Sequence, residues 1–132
     1  MQGGVRDDVT DQETTLGHLR DRVAAFVAER DWEQFHSPEN LAQAIAIEAG
    51  ELMEHFLWLT PEESAWAVRK DEKRSAVADE LADVLIYALS LANALEVDVS
   101  RAVLTKLERN EDRFPTELWR GQARPEDVSR SR

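Results

Sequence analysis

Ile45 to Phe56 reads I-A-I-E-A-G-E-L-M-E-H-F, the outline of a core helix with acids set into it. At about 100° per residue, Leu41, Ile45, Glu48 and Leu52 stack on one face, so Glu48 lies in the stripe that should be buried. Glu51 sits beside Glu48, one turn along. Burying an ionised carboxylate without a partner costs several kcal/mol, on the order of the whole stability of a small domain. A helix written this way needs something to compensate the charge.

The helical period extends in both directions. Ser37 reads as an N-cap with Pro38 at the first helical position, opening a helix to about Leu59. Upstream, Leu16, Leu19, Val23, Phe26 and Val27 keep helical spacing over about Glu13 to Glu29, followed by the loop R-D-W-E-Q-F-H. Thr60-Pro61-Glu62-Glu63 is a capping box that starts a short helix to about Val68. Arg69 to Arg74 reads as a charged connector. The next helix, about Ser75 to Leu95, is apolar nearly all round from Leu81 onward, so it is central in a bundle, covered by another subunit, or both. Asp98 or Ser100 caps a last helix to about Arg113, and Pro115 ends it. No stretch shows the period-two pattern of a half-buried strand. The expected class is all-α: a compact, oligomeric bundle of four main helices and a short extra one. Residues 1–12 read as a flexible N-terminal segment, 13–115 as the domain, and 116–132 as a polar, mobile tail.

Composition narrows the partners. A chain of 132 residues is enough for one domain with a real core, not comfortably for two. There are no cysteines, which removes disulfides, thiolate catalysis and cysteine zinc sites, and makes the cytoplasm the default location. No run of about 18 apolar residues and no basic-then-apolar leader is present, so neither a membrane partner nor a signal peptide is expected. A net charge of −11 argues against nucleic acid as a partner. It leaves open a phosphorylated small molecule held through divalent cations.

The second long helix carries Glu48 and Glu51, an E-x-x-E pair; the fourth carries Glu80 and Asp83, an E-x-x-D pair. Residues three apart are neighbours on a helix surface, so each pair faces one side. With Leu81 as the centre of the fourth helix's apolar face, Glu80, Asp83 and Tyr87 form a strip at its margin. If the two helices pack antiparallel, the four carboxylates converge, and such groups coexist by sharing protons or by holding cations between them. Oxygen ligands without Cys or His suit Mg2+, with Mn2+ as a substitute. Set against this, most E-x-x-E pairs on Glu-rich helices are solvated. The position of Glu48 in an apolar stripe, and the second acidic pair, weigh on the other side.

The order E-A-G-E, about thirty residues, E-L-A-D-V-L-I-Y and then K-L-E-R-N-E-D-R-F-P resembles the MazG-like all-α nucleoside triphosphate pyrophosphatases. With R-D-W-E-Q-F-H at Arg30 to His36, it is most similar to the dCTP pyrophosphatase branch. The resemblance covers about Leu16 to Pro115. It implies cleavage between the α- and β-phosphates of a nucleoside triphosphate with magnesium, Glu48, Glu51, Glu80 and Asp83 as metal ligands, and a homodimer or homotetramer. Glu51 and Lys106 become the catalytic candidates, Glu51 as general base. Lys106 and Asn110, which share a helix face with Arg113, become phosphate contacts, and Tyr87 a hydroxyl donor to phosphate or a half-buried core tyrosine. Trp32 and Trp58 are candidates for stacking on the base. Phe35 is a stacking candidate or core. His36 contacts the nucleotide or caps the second helix. The dCTP-specific relatives carry a His on the first helix nine residues before the loop Trp, where this chain has Val23, which puts strict dCTP preference in doubt. Three other readings stay open: a di-iron carboxylate bundle, a non-catalytic helical interaction module, and a nucleotide-binding regulator without turnover.

Overall fold

The structure is a computed structural model and describes residues 4–124; the parts of the two expected flexible termini at 1–3 and 125–132 lie outside the described residues. Among the described residues there are helices and turns and no strands: α1 (Leu16–Glu29), α2 (Pro38–Glu54), α3 (Pro61–Ala67), α4 (Asp71–Leu95), α5 (Val99–Arg113) and α6 (Thr116–Trp119), with a single 3-10 turn at Glu33–Phe35 between α1 and α2. No helix among them is long and apolar enough to cross a membrane.

The helix starts follow from side-chain caps that satisfy otherwise unpaired N–H groups. Thr15 accepts from the His18 N–H, Ser37 from Asn40, Thr60 from Glu63 and Asp98 from Arg101. Pro38 and Pro61 occupy first turns, where their missing N–H costs nothing. The largest departure from expectation is at α4. It begins at Asp71, so most of the charged connector is its first turn, with Asp71 and Glu72 at the end where the helix dipole favours anions. α2 ends at Glu54 rather than Leu59, and the chain turns through residues 55–58 to the α3 cap. Trp58 makes that turn in the left-handed region, with φ of 65°, where a non-glycine residue costs on the order of 1–3 kcal/mol. The expected polar tail contains α6, whose Trp119 ring meets Phe114 edge-on at 4.9 Å.

The chain falls into two compact units, one ending at Val97 and the other beginning at Asp98. In the first, α2 packs along α4 as the main contact, and α1 packs on α4 as well. α2 and α4 run antiparallel: near the C-terminal end of α2, the Phe56 ring takes the Lys73 ammonium at 5.9 Å, while Glu48, two turns earlier, meets Glu80 and Asp83 further along α4. A reciprocal pair of side-chain hydrogen bonds pins α1 to α4. Arg20 Nε donates to Asn93 Oδ1, and Asn93 Nδ2 donates to the Arg20 carbonyl. The apolar residues buried among those described are Val27, Leu41, Leu89 and Ala92.

Leu41 is 1% exposed, and Ile45, Glu48 and Leu52 follow it as half-buried positions, so the stripe read from the opening segment is the face that α2 turns inward. On α4 the acids lie at the margin of the Leu81 face and turn to α2, as expected. Leu81 is 49% exposed and Leu85 53% exposed, so Leu81 centres an uncovered apolar stripe, while Glu80 is half-buried toward α2.

Candidate metal centre

Glu48 on α2 and Glu80 and Asp83 on α4 each bring one carboxylate oxygen within 4.8 Å of the others. Helix geometry does this. Glu80 and Asp83 are three apart and share a side of α4, and the antiparallel packing sets that side against the buried stripe of α2 that carries Glu48. Glu48 and Glu80 are half-buried and Asp83 is exposed. Glu48 Oε2 and Glu80 Oε2 are buried and have no hydrogen-bond partner.

Burial, chiefly, pushes the Glu48 carboxyl up to about 7, and the neighbouring carboxyls of Glu51, Asp83 and Glu80 add to it. Glu51 is therefore a neighbour of Glu48, but exposed and outside the close trio. Two orphaned, buried carboxylate oxygens in an all-oxygen donor set fit a hard divalent cation, since a cation would supply the partner that the protein withholds.

The sign of the Glu48 shift gives a first prediction. Without metal, the folded state holds a proton that the unfolded chain releases at its ordinary carboxylate pKa. Stability from this group is complete below that value and is lost as pH rises through about 7. Thermal unfolding in EDTA will show a melting temperature that falls as pH is raised from about 5 to about 8.

The other expected site residues separate into groups. Tyr87 is half-buried one turn beyond Asp83 on α4. Along the same face, Ser90 and Ala94 line a cavity of about 320 Å³, closed by Ala24 and Val27 of α1, by Glu33 and His36 of the 3-10 turn region, and by Asn93. His36 thus belongs to a pocket. The Ser37 hydroxyl caps α2 by accepting from Asn40 N–H. Trp32 stands outside that lining; its ring meets Phe26 edge-on at 5.6 Å, and Phe26 in turn carries the Arg30 guanidinium at 3.9 Å. Trp58 is 97% exposed and is not among the residues that line this cavity. Lys106 is exposed and Asn110 half-buried on α5, which belongs to the second unit.

Sequence reasoning missed Ser90, Asn93 and Glu33 as cavity residues. Ser90 and Asn93 were legible in principle, as the two polar interruptions in the apolar run L-S-L-A-N-A-L of α4. It also passed over His55 as a neighbour of the acidic group; its Nε2 lies 4.0 Å from Glu80 Oε1.

Antiparallel helices that gather acidic side chains between them make this an all-α protein with an acidic cluster fit for a divalent cation. Residues 43–120 match the model of the MazG-like family, a span that includes the acidic trio, Glu51, Tyr87, Lys106 and Asn110. The chain belongs to the MazG-like family. It is 44% identical over 134 residues to a dCTP pyrophosphatase 1 from Bos taurus, covering 93% of this chain and 78% of the relative. It is 46% identical over 115 residues to the Homo sapiens dCTP pyrophosphatase 1, covering 85% of this chain and 66% of that one. The fold is similar to the crystal structure of a pyrophosphatase from Archaeoglobus fulgidus, with a TM-score of 0.73 and 34% identity over 82% of this chain and 99% of the other.

Proposed function

We propose that this chain is a magnesium-dependent nucleoside triphosphate pyrophosphatase that converts dCTP, or a modified cytosine deoxynucleotide, to the monophosphate and pyrophosphate. The observation that carries the reading is the pair of orphaned carboxylate oxygens at Glu48 and Glu80 inside a MazG-like chain. Glu48, Glu80 and Asp83 are the ligands, and Glu51 borders them. Magnesium bound there would shield the triphosphate's charge, polarise the phosphoryl centre and acidify the attacking water. Glu51, exposed and outside the trio, is our choice of general base for that water's proton, since a carboxylate not engaged by metal is free to accept it. Tyr87 donates its hydroxyl to a phosphate oxygen; the family resemblance alone makes Lys106 and Asn110, one helical turn apart on α5, phosphate contacts, with Lys106 offsetting developing negative charge.

The base takes the cavity at Ser90, His36 and Val27. Seven residues separate Asp83 from Ser90, two turns on one face, so the cavity opens roughly 10 Å along α4 from the acids. That span suits a nucleotide lying along the helix with its phosphates at the carboxylates. Ala24 and Val27 make the α1 side of the slot apolar, consistent with tolerance of substituted cytosines.

The working form is a homodimer or homotetramer in the cytoplasm, acting on the nucleotide pool. Leu81, Leu85, Ile86, Trp66 and Trp58 are all exposed on the first unit, more apolar surface than a lone domain usually leaves uncovered. Trp58, exposed and away from its own protomer's cavity, is the aromatic that one copy would lend to the base slot of another. Replacing it, Trp58→Ala, is expected to raise KM about tenfold to a hundredfold with little change in kcat, because stacking on a base is worth roughly 1–3 kcal/mol. Steady-state kinetics on dCTP checks this.

The reading as a whole is tested by incubating the purified protein with each dNTP and NTP, and with 5-methyl-dCTP, in magnesium and in EDTA, and identifying the products. Monophosphate and pyrophosphate, lost in EDTA, are expected. Orthophosphate release, or no turnover of any nucleotide, contradicts it.

A further inference from the structure

The geometry points to His55 as a positioning residue for Glu80, holding that carboxylate in the orientation in which it meets the cation; the inference rests on the reading of Glu80 as a metal ligand. His55 lies seven residues after Glu48, two helical turns along and on the same face, at the C-cap of α2. Its backbone is fixed there by its N–H, which donates to the Leu52 and Met53 carbonyls. The imidazole and the Glu80 side chain are buried to almost the same degree, 24% and 23% exposed, and approach to 4.0 Å between Nε2 and Oε1.

The two oxygens of Glu80 are thereby distinguished. Oε2 is the buried atom without a partner, and Oε1 is the one that faces the imidazole. A carboxylate that binds a cation through one oxygen is free to swing unless the other is held. Closing the gap to hydrogen-bond range takes a shift of about 1 Å, after which Nε2–H donates to Oε1. His55 itself stays outside the group of ligand atoms, so its contribution passes through Glu80. Outer partners of this kind set ligand orientation, and their loss commonly weakens metal binding about 10- to 100-fold.

The test is a titration of the metal-free protein, without nucleotide, with Mn2+ followed by the EPR signal of the free ion. We expect His55→Leu to bind Mn2+ about 10- to 100-fold more weakly than wild type. His55→Gln, which returns an N–H donor at similar reach, should recover most of the affinity. In a Glu80→Gln background, His55→Leu should cost nothing further. Equal affinity of His55→Leu and wild type overturns the positioning role. So does equal weakness of the Leu and Gln variants, which would mark a packing defect. Failure of wild type itself to bind Mn2+ overturns the metal reading of Glu80, and the proposal with it.

Discussion

Glu48→Gln is expected to remain folded and to lose magnesium-dependent turnover by a hundredfold or more. The substitution preserves shape and removes one negative charge, so the packing of Leu41, Ile45 and Leu52 around it is undisturbed. What disappears is the charge of one of three carboxylates whose oxygens lie within 4.8 Å of each other. A bound cation supplies several kcal/mol of charge stabilisation in phosphoryl chemistry, and each ~1.4 kcal/mol lost is tenfold in rate. Metal-free, the variant is expected to be no less stable than wild type near neutral pH, because the amide carries no charge for burial, and then for the neighbouring acids, to oppose. A buried ion pair broken by mutation behaves in the opposite way. Turnover of dCTP across a magnesium series, with melting temperatures in EDTA, separates the two. Glu51→Gln makes the comparison sharper: as general base rather than one of the trio, it should lower kcat while leaving the magnesium dependence nearly intact.

The second large effect is on assembly. Leu81→Glu combined with Leu85→Glu is expected to yield a monomer with at least tenfold lower activity. The two leucines lie one turn apart on α4 and are about half exposed, on the side away from the acids. Covering the exposed half of each is worth roughly 0.8–1.5 kcal/mol, and the term is counted from both copies across a two-fold interface. Two buried carboxylates in their place reverse the sign. Activity falls with assembly in this account because Trp58 of each copy serves the base slot of another. Light scattering coupled to size exclusion, run beside the turnover assay, reads both. A double variant that keeps the wild-type mass contradicts the interface, and a fully active monomer contradicts the shared slot.

The helical class and the acidic site were legible for physical reasons that can be named. Caps at Ser37, Thr60 and Asp98 are local chemistry, and each begins a helix where it was read. The position of Glu48 in the stripe of Leu41 and Ile45 depends only on the helical period, and the structure buries that face. On α4 the strip of Glu80 and Asp83 meets α2 as read, while its apolar residues run nearly all round, so periodicity alone cannot say which of them the same chain covers. The start of α4 at Asp71 was missed because R-K-D-E-K-R carries no apolar residue to mark a period, although its first-turn acids suit a helix end. The cavity was invisible for a different reason. It is assembled from α1, the 3-10 turn and α4, and such a coincidence has no signature within any one segment.

We propose that Glu48 occupies a core stripe because a divalent cation, rather than apolar packing, is its partner. The most direct measurement is thermal unfolding of wild type and Glu48→Gln near pH 8, first in EDTA and then along a magnesium titration. Wild type should start lower and rise with magnesium, as expected for a ligand that binds only the folded state. The variant should start at least as high and respond little over the same range. Identical magnesium responses of the two proteins, or no response from wild type, would contradict the account.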